Sequence, residues 1–446
     1  MLTDWPAGLA PSLPDYLASQ RWFSGSEAPA AESVRTARAQ RLWSDGDTKE
    51  LWQVLVNVDD AVYQLLFGVR PAGEPADFLH GHEHAVLGSA EGVYVYDAIL
   101  DNELAKVFLE VISDGAEKAE RARPMSAEQS NSSLVYDDRL ILKVFRRLRP
   151  GRNPDVEVTS ALADAGFDHV ARPLVEWRDE QYDLAFGQQF LSGGTDGWAL
   201  ALTSLRNLYT SHDYELPAEA GGDFAAEASR LGQVTADMHL TLERVFGTAD
   251  PERARKGWAA LTEGLRPRLE QADRGLAKAA GPLLERLRAV GDPGPTIRVH
   301  GDFHLGQVMR TDLGWFVLDF EGEPAKSVEE RLAPASPLKD VTGMLRSFHY
   351  ASRYALVERD VDDWADMVPA ARAWESHNRQ AFLDGYQSQP GVADLLPDPA
   401  ASPVVIIAYE LDKALYELEY ERAHRPEWVS IPLDALQRLV EGGAGD

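Results

Sequence analysis

Three polar side chains in the second half of the chain have types and spacings that could support phosphoryl transfer. Asp302 lies in a tight polar turn, Gln307 follows five residues later, and Asp319 ends an apolar segment seventeen residues after Asp302. Transfer from a nucleotide needs one carboxylate that accepts or orients the proton of the attacking hydroxyl. It also needs a second carboxylate and a side-chain amide that hold Mg²⁺ against the phosphates. The alternative is a polar hairpin whose aspartates only cap turns, but the ordered array favours catalysis.

A single lysine, Lys143, interrupts the apolar segment Leu140–Phe145. A buried lysine is costly unless an acid is paired with it, and in kinases such a strand lysine binds phosphates and pairs with a glutamate of a helix. The expected partner of Lys143 is Glu157, although Glu180 or another acid could serve. The segment alone also fits a lysine that faces solvent, so the kinase interpretation depends on the array downstream.

A polar turn precedes this segment and could bind phosphate through its backbone N–H groups and hydroxyls. The turn consists of Ser130, Asn131, Ser132 and Ser133. It lacks the glycines that kinase phosphate loops carry, so an ordinary turn is the alternative.

Residues 410–422 have the composition of a helix on which four side chains at steps of three and four share one face. These side chains are Lys413, Tyr416, Glu417 and Tyr420. Charged groups can bind hydroxyls and an aromatic ring can stack on a sugar, so this face suits a carbohydrate. The alternative is a solvated helix face with local ion pairs.

The first half of the chain must position Lys143, and its pattern mixes strands with short helices. Residues 1–85 contain β-rich segments and turns that predict a meander of strands. Asn153 followed by a proline is a typical helix start. The other predicted elements are helices at 76–89 and 102–114, a hairpin of 134–136 and 140–145 that turns at Asp137-Asp138, and a helix from Pro154 to about Ala165.

The second half must position Asp302 and the metal ligands, and helical periodicity dominates it. Glycines near 193–197 mark the change of pattern and are the expected boundary between the two halves. A short β-like stretch at 296–320 carries Asp302, Gln307 and Asp319. The predicted helices are 200–209, 224–246, 253–289 and 371–387.

The composition restricts the classes of function that the chain can have. Its 446 residues include 72 acidic and 44 basic side chains, which gives a formal net charge of −28. Such a surface repels nucleic-acid phosphates, and the lack of cysteine excludes disulfides and thiolate sites. No apolar run approaches the roughly 20 residues of a membrane helix, and the first residues lack a secretory pattern. We therefore expect a cytoplasmic protein that binds neither nucleic acid nor membranes.

Five segments of the sequence together resemble the actinobacterial maltokinases, which belong with the aminoglycoside phosphotransferase-like and protein-kinase-like enzymes. The segments are Gln20-Arg21-Trp22-Phe23, Ser130-Asn131-Ser132-Ser133, His300-Gly301-Asp302-Phe303-His304-Leu305-Gly306-Gln307, Asp319-Phe320-Glu321-Gly322-Glu323-Pro324 and Asp340-Val341-Thr342-Gly343-Met344-Leu345-Arg346-Ser347-Phe348. The resemblance implies an α+β, bilobal protein-kinase-like fold. Its expected parts are an N-terminal cap subdomain at 1–88, a small β-rich nucleotide-binding lobe at 89–195 and a mostly helical C-terminal lobe at 196–446.

The resemblance also implies a function. Members of that family transfer the γ-phosphate of ATP to the anomeric hydroxyl of maltose, and the maltose 1-phosphate feeds α-glucan synthesis. By resemblance, ATP and Mg²⁺ are the cofactors, Asp302 is the catalytic base, Gln307 and Asp319 are the Mg²⁺ ligands, and Lys143 binds phosphate. The residues expected to bind the sugar are His300, Lys413, Tyr416, Glu417 and Tyr420. A partner enzyme of trehalose or maltosyl metabolism is also compatible with this family.

Two other classes of function stay open. A glucosamine kinase or an aminoglycoside-type phosphotransferase would use the same chemistry on another acceptor, and an acidic acceptor pocket would favour an amine. A non-catalytic, kinase-like binding module is the second class. Such a module has no need of Asp302, Gln307 and Asp319 together, which argues against it.

Overall fold

The structure is a computed structural model that describes residues 7–23, 25, 27–46, 48–73, 76–90, 92–125, 131–210, 217, 223–323, 326–357 and 364–443. The strands are β1 (Val34–Ser44), β2 (Glu50–Val58), β3 (Ala61–Pro71), β4 (Val86–Ala90), β5 (Val93–Asp97), β6 (Ala122–Met125), β7 (Asn131–Tyr136), β8 (Leu140–Phe145), β9 (Arg147–Leu148), β10 (Pro173–Arg178), β11 (Asp183–Gln189), β12 (Thr195–Asp196), β13 (Val308–Thr311) and β14 (Gly314–Val317). The α-helices are α1 (Leu13–Ala18), α2 (Asn102–Ile112), α3 (Pro154–Asp164), α4 (Gly197–Thr210), α5 (Ala225–Phe246), α6 (Pro251–Ala272), α7 (Arg274–Ala279), α8 (Gly281–Arg288), α9 (Val328–Leu332), α10 (Leu338–Val357), α11 (Trp364–Gln387), α12 (Ser402–His424) and α13 (Ser430–Gly443).

The chain divides into two compact units. The first comprises Met1–Ser160 and Ala171–Ser192, and the second comprises Ala161–Val170 and Gly193–Asp446. The boundary after Ser192 lies next to Gly193 and Gly194, in the glycine-rich region that we expected to separate the two halves. The finer division into 1–88, 89–195 and 196–446 stays a prediction.

Two antiparallel sheets form the first unit. One has the strand order β1-β2-β3-β5-β4, with β9 also paired to β3, and the other has the order β10-β11-β8-β7-β6. Side chains of β2 and β3 belong to two different apolar cores. Val54 packs with α1, whereas Leu66 packs with α2 and the second sheet. The predicted meander is confirmed, and burial on both faces explains its nearly continuous apolar sequence.

The predicted hairpin and two of the predicted helices of this half are confirmed. β7 and β8 pair in register, and Asp137 and Asp138 between them both have φ near 50°, which is the conformation of a two-residue hairpin turn. α2 and α3 lie where they were expected. The predicted helix at 76–89 is wrong. Residues 86–90 form β4, because pairing with β5 outweighs the weak helical periodicity.

The second unit is mostly helical, with one three-stranded sheet of order β12-β13-β14. α5 and α11 approach so closely that a Cβ on Gly232 would lie 2.1 Å from the carbonyl oxygen of Phe382, and one on Gly385 would lie 2.0 Å from that of Ser229. The predicted long helix at 253–289 is divided into α6, α7 and α8. Asp273 ends the first of these in an extended conformation, and its carboxylate accepts the N–H of Leu276 to begin the next.

None of the described helices combines the length and the apolar composition that a membrane crossing requires.

Candidate active site

The two predicted metal ligands lie side by side at the β13–β14 hairpin. Gln307 precedes β13 and Asp319 follows β14, and the N–H of Leu318 donates to the carbonyl oxygen of Gln307 at 2.9 Å. The Gln307 Nε2 donates to Asp319 Oδ2 at 3.3 Å. Antiparallel pairing thus converts a separation of twelve residues into direct contact.

Asp319 has the features of a cation ligand. Its backbone lies in the left-handed region, with φ of 61°, which aspartate tolerates better than most residues. Its Oδ1 is buried and has no hydrogen-bond partner among the residues that the structure describes. A buried carboxylate oxygen without a donor is costly unless a cation is bound to it, and carboxylate and amide oxygens are the ligands that Mg²⁺ prefers. Asp319 and Gln307 therefore fit a Mg²⁺ site.

Asp302 lies directly after Gly301, whose φ of +88° suits a residue without a Cβ. Asp302 Oδ1 accepts a hydrogen bond from the ammonium of Lys413 at 3.0 Å, and His304 Nε2 lies 4.0 Å from Oδ2. Burial alone would raise the pKa of Asp302, but Lys413 and His304 favour the charged form and lower the pKa to about 2. Asp302 is therefore ionised at neutral pH and can accept a proton.

A buried hydrogen-bonded chain, here called the support network, fixes the backbone before Asp302. The carboxylate of Asp340, at the start of α10, accepts the N–H of His300 at 2.7 Å and that of Gly301 at 2.9 Å. His239 Nε2 lies 3.1 Å from Asp340 Oδ2, and His239 Nδ1 lies 2.8 Å from the hydroxyl of Tyr386. Because a carboxylate only accepts, Nε2 carries the hydrogen and Nδ1 accepts from Tyr386.

Burial and hydrogen bonding act in opposite directions on the pKa of the carboxylate of the support network. Burial would raise the pKa of Asp340, but the hydrogen bonds that it accepts from His239 and from the N–H of Gly301 lower it, so the carboxylate stays ionised. The sequence analysis assigned no chemical role to His239 or to Asp340. An acid beside the apolar face of Val341, Met344, Leu345 and Phe348 was the available signal, because such an acid must have partners when it is buried.

The position of His300 differs from the one that we predicted. Its side chain is almost fully buried, with 1% of its surface exposed, and its ring packs between Phe303 and Phe320. His300 Nε2 donates to the carbonyl oxygen of Leu318 at 2.8 Å, and Nδ1 faces the N–H of Asp302 at 3.4 Å. Both nitrogens are engaged by backbone, so His300 positions the loop and is not placed to bind a sugar.

The predicted face of α12 divides into two stripes. Lys413 bonds to Asp302, and its Nζ lies 5.2 Å from the centre of the Tyr416 ring. The other stripe faces inward, where the carboxylate of Glu417 accepts a hydrogen bond from the buried Arg346 at 2.5 Å. Lys413 therefore contacts Asp302 and Tyr416 lies beside Lys413, and binding of a sugar by these two side chains stays a prediction. Glu417 has an internal partner, so the expected sugar contact is not borne out there.

Tyr420 lies on the same side of α12 as Tyr416. It begins a series of contacts among aromatic and arginine side chains that the sequence did not predict. The Arg425 guanidinium lies 5.3 Å from the Tyr420 ring centre and 4.3 Å from that of Trp428. Trp428 in turn lies 5.0 Å from Tyr354, and Tyr354 lies 5.4 Å from Trp198. We call the set Tyr416, Tyr420, Arg425, Trp428, Tyr354 and Trp198 the aromatic wall. It was missed because its members come from α4, α10, α12 and the segment after α12.

In the first unit, Lys143 is paired with Asp155 of α3, and pairing with Glu157, the acid that we expected, stays a prediction. Its ammonium lies 3.1 Å from the carboxylate of Asp155, which is buried at 3% exposure. Asn153 Oδ1 accepts the N–H of Asp155 at 2.8 Å and caps the helix as predicted. Glu157 lies two residues further along. The first turn of α3 thus supplies the partner, and a spacing argument could not choose between its two acids.

The predicted phosphate turn is mostly part of a strand. Ser130 lies outside the described residues, and Asn131, Ser132 and Ser133 begin β7. Ser132 and Ser133 are buried, and the hydroxyl of Ser132 accepts a hydrogen bond from Arg146 at 2.8 Å. The Ser132 hydroxyl is therefore engaged by a side chain of the same unit, and phosphate binding by this segment stays a prediction.

The family of the chain follows from comparison with known proteins. Residues 121–377, which are more than half of the chain, match the family described as the phosphotransferase enzyme family. The chain belongs to that family. Residues 16–101 match the maltokinase N-terminal cap domain, so the domain content agrees with the resemblance drawn from the sequence. This phosphotransferase thus joins a maltokinase cap to a kinase-like catalytic region.

Two curated relatives of this phosphotransferase are glucosamine kinases. The one from Streptacidiphilus jiangxiensis is 31% identical over 351 residues, which cover 73% of this chain and 75% of the relative. The one from Mycolicibacterium smegmatis is 26% identical over 351 residues, which cover 75% and 83%. A solved glucosamine kinase in complex with glucosamine, ADP and inorganic phosphate superposes with a TM-score of 0.68 at 23% identity, over 98% of this chain and 100% of that chain. The predicted bilobal, kinase-like fold is confirmed by this likeness.

Proposed function

We propose that this phosphotransferase is an ATP- and Mg²⁺-dependent sugar kinase whose acceptor is a neutral sugar, best represented by maltose. The expected product is maltose 1-phosphate, which would feed α-glucan synthesis. The observation that carries the proposal is the ion pair between Asp302 and Lys413, because it joins the catalytic carboxylate to the helix that would bind the acceptor. The maltokinase cap at residues 16–101 supports the same choice.

In this proposal Asp302 is the general base. Its Oδ2 would accept the proton of the sugar hydroxyl as the hydroxyl oxygen attacks the γ-phosphorus of ATP, while Lys413 holds Oδ1. The bond from the γ-phosphorus to the bridging oxygen of the β-phosphate breaks, and ADP leaves. Gln307 and Asp319 would hold Mg²⁺, which neutralises phosphate charge when it is bound. Lys143 would bind phosphate oxygens of the nucleotide through the ammonium that Asp155 orients.

The charges around Asp302 favour a neutral acceptor. The ammonium of Lys413 already lies against the carboxylate, so an amino sugar that brought a second ammonium to that position would meet repulsion of like charges. The rings of the aromatic wall extend from Tyr416 toward Trp428 and Trp198, which gives a second sugar ring a surface for stacking. A neutral disaccharide uses both features.

Glucosamine is the second candidate acceptor, and the observation that favours it is the similarity to glucosamine kinases over about three quarters of the chain. That acceptor would require an acid that binds its ammonium away from Lys413. Glu323 is a candidate, because its charge acts on Lys413, but its carboxylate is already paired with Lys326 at 2.6 Å.

The test is the purified protein with ATP, Mg²⁺ and one sugar at a time: maltose, glucose, glucosamine or trehalose. Phosphorus and proton NMR locate the new phosphate, and Asp302→Asn is the matched control. We expect phosphate on the anomeric oxygen of maltose. Transfer only to glucosamine would keep the kinase chemistry and contradict the proposed acceptor. Transfer to no sugar would contradict the proposal as a whole.

A further inference from the structure

A second charged site lies in the helical unit, apart from Asp302. A cavity of about 340 Å³ opens among α10, α11, α12 and α13. Its lining combines arginines and glutamates with small or apolar side chains, namely Arg346, Arg372, Glu375, Ser376, Arg379, Glu410, Ala435, Arg438 and Leu439. Four arginines against two glutamates leave an excess of positive charge, in a chain whose formal net charge is −28. We call it the arginine cavity.

The inner part of the arginine cavity has hydrogen-bond donors to spare. Arg346 is 2% exposed, and one of its terminal nitrogens bonds to Glu417 at 2.5 Å. Its Nε is buried and has no acceptor among the residues that the structure describes. Arg379 donates to Glu410 at 2.7 Å and to the carbonyl oxygen of Leu345 at 3.3 Å. Each guanidinium has five N–H donors, so these bonds do not exhaust either side chain.

The outer part is short of negative charge. Asp434 lies 3.1 Å from Arg353, 3.3 Å from Arg438 and 3.8 Å from Arg372, so three guanidinium groups share one carboxylate. Arg372 is the most accessible of them, with 54% of its side chain exposed. Arg438 also approaches Glu375 and the ring of His349. The acids of the cavity are thus engaged, whereas the arginines are not fully neutralised.

We propose that the arginine cavity binds a phosphate group, carried either by free phosphate or by a small phosphate monoester. Guanidinium groups bind phosphate through paired, charge-assisted hydrogen bonds. When Arg353, Glu417 and Asp434 are counted with the lining, five guanidinium groups share four carboxylates, which leaves positive charge and unused donors for an anion. The volume exceeds that of phosphate alone and leaves room for a sugar ring. The site is distinct from the transfer site, because none of its lining residues is Asp302, Gln307, Asp319 or Lys413.

The experiment is calorimetric titration of the full-length protein at constant ionic strength. The probes are inorganic phosphate and glucose 6-phosphate. The nucleotide site is first filled with Mg²⁺ and a non-hydrolysable ATP analogue, so that phosphate cannot bind there. The variants are Arg372→Gln, the double variant Arg372→Gln/Arg438→Gln, and Arg255→Gln, an exposed arginine of α6 outside the cavity, as control.

We expect binding to the wild type and to the control, and affinity lower by about tenfold or more in the double variant, because charge-assisted hydrogen bonds are lost. Arg372→Gln should weaken binding less and should fold normally, since that side chain is exposed. Tighter binding of one probe identifies the source of the phosphate group. No binding to the wild type, or equal affinity of the wild type and both cavity variants, would overturn the proposal. Sugar kinase activity is measured separately, so failure of the proposed function leaves this result interpretable.

Discussion

The loop that carries Asp302 and the aromatic wall are built in opposite ways. Beneath the loop, the support network is buried, and its carboxylate and imidazole are fully used by fixed partners. The aromatic wall is half-exposed, and its contacts are ring packing and cation–π pairs that tolerate rearrangement. From this difference we expect the geometry of transfer to be fixed by the core, and the choice of acceptor to depend on side chains with few constraints. Four substitutions test that division, from the largest expected effect to the smallest.

Asp302→Asn should have the largest effect. The amide cannot accept the proton of the acceptor hydroxyl, so we expect kcat to fall by about 10²- to 10⁴-fold with little change in the acceptor KM. Steady-state kinetics with Asp312→Asn as control, an exposed aspartate of the β13–β14 turn, measure the difference. Turnover within about tenfold of the wild type would remove Asp302 from the role of base.

Asp340→Ala should remove the central hydrogen-bond acceptor of the support network. The N–H groups of His300 and Gly301 lose their acceptor, and His239 loses its partner. Each buried, unsatisfied donor costs about 1–3 kcal/mol, so we expect the free energy of unfolding to fall by about 3 kcal/mol or more, and kcat to fall with it. Urea unfolding gives the first quantity, with Asp312→Ala as control. Unchanged stability would mean that Asp340 does not hold the loop.

Trp428→Ala should change acceptor binding without changing the chemical step. Loss of ring packing is worth about 0.5–1.5 kcal/mol, so we expect the acceptor KM to rise by about threefold to tenfold at nearly constant kcat. Trp428→Phe, which keeps an aromatic ring, should lie between the variant and the wild type. A fall in kcat with unchanged KM would contradict the division between loop and wall.

Lys413 contacts both regions, because it bonds to Asp302 and lies beside the Tyr416 ring. The effect of Lys413→Met should depend on pH. The wild-type pKa of Asp302 is about 2, so the carboxylate stays ionised down to pH 5. The variant loses the ammonium that lowers this pKa but keeps the burial that raises it, so the pKa should rise. The activity of the variant should therefore fall as the pH is lowered from 8 to 5, whereas that of the wild type should not fall through titration of Asp302. A pH profile parallel to that of the wild type would exclude Lys413 from this role.

The same pH argument applies to stability. A carboxylate with a pKa lower in the folded than in the unfolded chain stabilises the fold above its unfolded pKa, near 4. That contribution of Asp302 should therefore be present at neutral pH and should be lost as pH falls from about 4 toward 2. In Asp302→Asn this part of the pH dependence should be missing.

Sequence reasoning succeeded where the relevant partners are close along the chain. Asp302, Gln307 and Asp319 lie in one loop and one hairpin, so their spacing was enough to predict that Gln307 and Asp319 lie together. The cap of α3 by Asn153 and the turn at Asp137-Asp138 are likewise local.

It failed where a distant residue decides the role of a side chain. The carbonyl oxygen of Leu318 engages His300, Arg346 engages Glu417, and Arg146 engages Ser132. None of these partners is marked by periodicity or composition. The aromatic wall was missed for the same reason, since tertiary packing alone unites its rings.

The support network also determines how the loop at Asp302 can move. It links α5 and α11, whose glycines allow their close approach, through Asp340 of α10 to the amides of His300 and Gly301. Local opening that frees those amides must break bonds buried in the helical core. We therefore expect these two amide hydrogens to exchange with solvent as slowly as the core of α5, in step with opening of the whole helical unit rather than of a loop.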